Sequence, residues 1–124
     1  MDPDDRTRVS EVMSTPLKTI EPDATVRAAA TRMHEEDISA LVVTASSRAI
    51  VTQTDVIGAV AEGRDPESTR VSEVMTEGVE TVTPDLLMEE VAAMMTMYGV
   101  KHLPVVDDDY VGMVSSTDVT AQLS

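Results

Sequence analysis

Two short strings in this chain combine hydroxyls with a carboxylate at fixed spacing. Thr52-Gln53-Thr54-Asp55 and Ser115-Ser116-Thr117-Asp118 both read hydroxyl-x-hydroxyl-Asp. Each stands where an apolar run suited to a strand gives way to a helical pattern. Two chemistries fit. In one, the first hydroxyl and the acid three residues later close a capping box on the helix start, where a negative charge also suits the helix dipole. In the other, the hydroxyls and the free backbone N–H groups face a phosphate, and the carboxylate accepts hydrogen bonds from two vicinal ribose hydroxyls. The two are compatible, because a helix start can position an acid that a cleft then uses.

Other chemistry-bearing residues are sparse. The chain has no cysteine, so it has no thiolate nucleophile, no disulfide framework and no cysteine-based metal site. His34 lies on a charged helical stretch and is expected to be solvated, while His102 opens an apolar run. The two histidines lack the spacing of a zinc site. Asp107-Asp108-Asp109 reads as a wet hairpin turn rather than a metal loop. Met95, Met97 and Tyr98 read as core or as a dimer seam. There is no triad, glycine-rich phosphate loop or metal constellation, so the expectation is a protein without catalysis, metal or cofactor.

The elements that position the two strings come in two copies. Arg8-Val9-Ser10-Glu11-Val12-Met13 returns as Arg70-Val71-Ser72-Glu73-Val74-Met75, 62 positions later. Thr19-Ile20-Glu21-Pro22-Asp23 is echoed by Thr81-Val82-Thr83-Pro84-Asp85. The pattern predicts a frayed N-terminus over 1–7, a first repeat over 8–62, a linker over 63–69 and a second repeat over 70–124. Within the first repeat it predicts a helical lead-in at Val9–Met13, a strand at Leu17–Ile20 and a helix capped by Asp23 or Thr25 that ends near Glu36. Strands follow at Ile38–Thr44 and Ala49–Thr52, with a turn at Ala45-Ser46-Ser47, and then a helix over Thr54–Ala61. The second repeat gives a strand at Val79–Val82 and a helix at Asp85–Tyr98 with Leu87 on its apolar face, stopped by Gly99. Strands at His102–Val106 and Tyr110–Ser115 and a helix at Thr117–Leu123 complete it. Each half reads β-α-β-β-α, an α+β arrangement. Each alone is near the size where a core becomes marginal, so the copies are expected to bury each other's apolar faces.

Charge narrows the partners. The net charge is −14, with 23 acidic residues against nine lysines and arginines. Such a surface repels nucleic acid and anionic membranes. The acids are scattered through both halves, as expected of a surface adapted to concentrated salt, where self-repulsion is screened. A halophilic archaeal source fits that pattern. No N-terminal stretch reads as a signal peptide, and no run approaches the roughly 20 apolar residues needed to span a bilayer. The expected location is the cytoplasm.

The repeated lead-in Val9-Ser10-Glu11-Val12-Met13 and the Thr-[Ile/Val]-x-Pro-Asp turns resemble the CBS domain family, named after cystathionine β-synthase. So do Tyr98-Gly99-Val100, Leu103-Pro104-Val105-Val106-Asp107, and Val111-Gly112-Met113-Val114 running into Ser115-Ser116-Thr117-Asp118. The resemblance covers residues 8 to about 123. It implies two repeats packed sheet to sheet about a pseudo-twofold axis. Adenosine ligands (AMP, ADP, ATP or S-adenosylmethionine) are implied in clefts between the repeats, and pairs are implied to associate into homodimers that act on a partner protein. Carried over to this sequence, it gives Asp55 and Asp118 the ribose, and Thr52, Thr54, Ser115 and Thr117 the phosphate. Ile38, Ser39 and Ala40, with Val100, Lys101 and His102, would line adenine through their backbone, as would Pro16 to Lys18 and Gly78 to Glu80. The copies differ at Pro104 and Gly112, where the first has Val42 and Ala49. They differ again at Lys101 and His102, where the first has Ser39 and Ala40. The phosphorylated ligand is therefore expected at Asp118. The competing expectation is an assembly module with vestigial clefts.

Overall fold

The computed structural model describes residues 6–45 and 48–123. In chain order its elements are α1 (Val9–Val12), β1 (Thr19–Ile20), α2 (Val26–Glu36), β2 (Ala40–Thr44), β3 (Arg48–Thr52) and α3 (Gln53–Ala61). A 3-10 turn follows at Val71–Glu73, then β4 (Thr76–Glu77), α4 (Met88–Tyr98), β5 (His102–Asp107), β6 (Asp109–Ser115) and α5 (Ser116–Leu123). They form two compact units. A central unit is the continuous stretch Lys18–Val79, and a terminal unit joins Met1–Leu17 to Glu80–Ser124.

The central unit carries a sheet in the order β1-β2-β3-β4, with β1 parallel to β2 and the other pairs antiparallel. Ala40 to Val43 are all buried, which is why β2 reads as an unbroken apolar run. α2 starts where the Thr25 hydroxyl accepts a hydrogen bond from Ala28 N at 3.0 Å. It stops at Asp37, whose φ of 53° ends the helix in the left-handed region. Val26, Ala29 and Met33, spaced by three and four, are its buried stripe. The terminal unit repeats this plan with β5 paired to β6 and α4 stopped by Gly99 at φ 65°.

The two lead-ins are exchanged. Val71 belongs to the second repeat in sequence, yet it packs in the central core with Ile20, Leu41 and Val51. Val9 belongs to the first, yet it packs in the terminal core with Val82, Val91 and Leu103. Both valines are 0% exposed. The backbone bonds mirror each other. Val71 N donates to Ala24 O at 2.8 Å and Ser72 N to Pro22 O at 2.9 Å, while Val9 N donates to Leu86 O at 2.8 Å and Ser10 N to Pro84 O at 2.9 Å. Arg70 Nη1 donates to Asp23 O at 3.1 Å, and Arg8 Nη1 to Asp85 O at 2.7 Å. Each Pro-Asp turn thus finds donors for its carbonyls in the other repeat's lead-in. The exchange extends to strands, since β4 pairs with β3 through Thr76↔Ile50 and Ser14 bridges Met113.

This exchange accounts for several departures from the sequence reading. The strand expected at Val79–Val82 is reduced to a parallel bridge between Val82 and Val105, in which Val82 N donates to Pro104 O and Val106 N to Val82 O. β4, at Thr76–Glu77, is a separate strand of the central unit that the sequence reading did not expect. Leu87 is the N-cap of α4 rather than part of its apolar face. The expected linker over 63–69 is built into the central unit, where Val26 N donates to Thr69 O, Arg27 N to Pro66 O, and Thr69 is buried. The frayed N-terminus expected over 1–7 falls largely on residues 1–5, outside the described residues; Thr7 O accepts from Met88 N at 2.9 Å. Ser46 and Ser47 of the expected turn also lie outside them.

Gly112 marks the tightest approach of a lead-in. A Cβ there would stand 2.9 Å from Ser14 O and 3.0 Å from Met13 Sδ. Gly112→Ala is expected to cost about 1–3 kcal/mol by overpacking, read as a lowered midpoint in urea with an unchanged slope. A midpoint equal to that of the parent would show that the lead-in yields freely.

Candidate functional site

The two Asp strings fold alike. In the central unit, Thr52 ends β3 and caps α3. Thr52 N donates to Asp55 Oδ2 at 2.9 Å, the Thr52 hydroxyl donates to the same oxygen at 3.1 Å, and Asp55 N reaches Thr52 Oγ1 at 3.3 Å. In the terminal unit, Ser115 N and its hydroxyl reach Asp118 Oδ2 at 2.8 and 3.1 Å, and Asp118 N reaches Ser115 Oγ at 3.4 Å. The capping reading is therefore correct for both. It leaves one oxygen over: among the described residues, Oδ1 of Asp55 and Oδ1 of Asp118 accept no hydrogen bond. Both acids are half-buried. A fixed, half-buried carboxylate with an open oxygen at a helix start is a ready acceptor for a ligand hydroxyl.

The start of the preceding strand is fastened to the same place. Gln53 N donates to Ser39 O at 3.0 Å, and Ser116 N to Lys101 O at 2.9 Å. Ala40 stands opposite Thr52, and His102 opposite Ser115. Thus Ser39, Ala40, Thr52 and Asp55 come together in one unit, and Lys101, His102, Ser115 and Asp118 in the other. Ile38 and Val100 adjoin these groups, but their side chains pack on their own cores. Thr54 and Thr117 lie exposed on the first turns of α3 and α5. Pro16 falls in the terminal unit and Lys18 in the central one, as Glu80 and Gly78 do, so these two stretches are where the chain crosses between units. Lys18 Nζ lies 3.1 Å from Glu36 Oε1, and Arg32 Nε lies 2.7 Å from the other Glu36 oxygen. Hydrogen bonds from Arg32 and then Lys18 hold the Glu36 carboxyl below its usual range.

The units differ electrostatically at this point. His102 is held below the usual imidazole range by burial and by the neighbouring Lys101 ammonium, against the opposing pull of Asp118. The central unit has Ser39 and Ala40 in the corresponding places. Arg8 and Arg70, which open the two lead-ins, reach the carbonyls of Asp85 and Asp23. Their 62-residue echo was a signal of that shared structural role. Among the described residues, no group of three histidines or acids is gathered for a metal ion, and no helix is long and apolar enough to cross a membrane.

Comparison with known proteins places this geometry in context. The family model for the CBS domain matches residues 9–62 and again 71–124. The CBS domain-containing protein YhcV of Bacillus subtilis is 30% identical over 115 residues, covering 90% of this chain and 81% of that protein. The CBS domain pair of protein MJ0100, solved in complex with 5′-methylthioadenosine and S-adenosyl-L-methionine, is 28% identical with a TM-score of 0.86. It covers 95% of this chain and 96% of that one. A hexameric CBS-CP12 protein from bloom-forming cyanobacteria is 30% identical with a TM-score of 0.87, covering 94% of this chain and 67% of that one.

Proposed function

The chain belongs to the CBS domain family, and from that premise we propose that it is a regulatory module that binds adenosine ligands at its two capped helix starts. The observation that carries this reading is the paired Asp55 and Asp118 geometry: each carboxylate is anchored by one oxygen and offers the other. In this reading the open oxygen accepts the ribose hydroxyls, while Thr54 and Thr117 with the first-turn N–H groups meet phosphate where the ligand has one. The backbone at Ser39–Ala40 and Lys101–His102 borders the adenine. The adenosine ligands in the MJ0100 complex support this class of molecule. Lys101 and His102 favour AMP, ADP or ATP at Asp118, whereas the Asp55 site suits a less charged adenosine derivative. The module performs no chemistry; ligand binding weights one conformation over another, and a partner protein reads the result.

Self-association belongs to the same proposal. Ile57 is 67% exposed and Val60 55% on α3, and Met97 is 73% exposed on α4. Exposed apolar side chains stand out on a chain of net charge −14. A homodimer would cover them, and sedimentation equilibrium at twice the monomer mass would support it. Thermal unfolding with AMP, ATP and S-adenosylmethionine tests the central claim. A ligand at 100 times its Kd adds about 2.7 kcal/mol, a rise of several degrees in Tm. No shift with any of them would favour an assembly module with vestigial sites.

A further inference from the structure

The terminal site contains a titratable ring that the central site lacks. His102 opens β5 opposite Ser115, whose backbone and hydroxyl hold Asp118. Its chain neighbour Lys101 is tied to the first turn of α5 through Ser116 N. The imidazole therefore sits in the group of residues that the proposed phosphate would approach. Charged groups acting on it include Lys101 and, from α5, Asp118. β6 presents Ser115 and Met113, which do not titrate. We infer that the terminal site takes up its phosphorylated ligand together with one proton, which is carried by the His102 imidazole. This rests on the adenosine-ligand reading and adds to it a pH dependence and a selection rule.

The reasoning is electrostatic. Without ligand, burial and Lys101 disfavour a second positive charge beside the one already present. A phosphate dianion reverses that balance, since it favours the charged ring and accepts its N–H as a charge-assisted hydrogen bond. The proton comes from solvent, the imidazole becomes imidazolium, and no bond to the ligand forms or breaks. An unphosphorylated adenosine supplies no such charge, so it binds without the proton. Ala40 stands in the corresponding place in the central unit, so that site should be indifferent to pH.

Isothermal titration of the full chain with AMP, from pH 8 down to pH 6.5, tests this, with His102→Gln and His102→Arg alongside. The titration of free AMP is common to all three and cancels in their ratios. The affinity of the parent relative to His102→Gln should rise severalfold across the range, approaching tenfold per pH unit where the linkage is complete. His102→Arg, permanently charged, should bind AMP with no such rise relative to His102→Gln. Titrations in two buffers of different ionisation enthalpy should show proton uptake by the parent with AMP but not with adenosine. AMP binding with a pH-independent ratio and equal proton uptake would overturn the inference and leave the ligand reading standing. A parent that binds no AMP at any pH would overturn both. Should His102→Gln fail to fold, the parent's proton uptake and the His102→Arg profile decide the matter.

Discussion

A fragment covering residues 18–79 is expected to unfold cooperatively in urea, whereas a fragment covering residues 8–62 is not. The second fragment is the sequence repeat, and intuition would choose it. It nevertheless lacks Val71, which is fully buried in the central core, and it lacks β4 and the bonds from Val71 N and Ser72 N to Ala24 O and Pro22 O. It also carries Val9, whose seat lies among Val82, Val91 and Leu103. The fragment 18–79 keeps the whole core and the four-stranded sheet. A chain of this size has little stability to spare, so losing a buried valine together with an edge strand removes the folded state. Circular dichroism against urea reads the result. A shared sigmoidal transition for both fragments would show that the lead-ins contribute little, and the exchange would lose its importance for stability.

The second large effect concerns Asp118. Asp118→Ala should weaken AMP binding at least about a hundredfold, since two hydroxyl hydrogen bonds to a carboxylate are each worth about 1.5–3 kcal/mol. The same change removes the acid of the capping box and costs about 0.5–2 kcal/mol of stability. Ser115→Ala separates these roles. It removes the hydroxyl on Asp118 Oδ2 but leaves the carboxylate and the Ser115 N donor in place. It should therefore lose comparable stability and far less affinity. Should the folded fraction of Asp118→Ala bind AMP like the parent, the carboxylate is a cap and nothing more.

Much of this site was legible in the sequence, and the reason is local. A hydroxyl followed three residues later by an acid closes a box within one helical turn, so the types and spacing of Thr52 and Asp55 determine the bonds they make. The helix stops are local too: Gly99 was readable as a left-handed residue, although Asp37, which does the same in the central unit, was not. The exchange of lead-ins was hidden for a different reason. Arg8-Val9-Ser10 and Arg70-Val71-Ser72 are identical, so either could satisfy either Pro-Asp turn, and no residue type distinguishes a lead-in that stays from one that crosses. β4 has two residues, too few to show a period of two. Burial of His102 depends on what stands across the strand pair, which an apolar run does not reveal.

The crossing of the lead-ins also sets an order of events. A ribosome makes Arg8 to Leu17 before Lys18 to Val79, while the turn and strands that receive them, from Glu80 onward, follow after both. Lys18 to Val79 are complete while the remaining third of the chain is still unmade. Arg8 to Leu17 therefore wait for residues made after the whole central unit, and until the β5–β6 pair emerges, Val9 has no native place to hide from water.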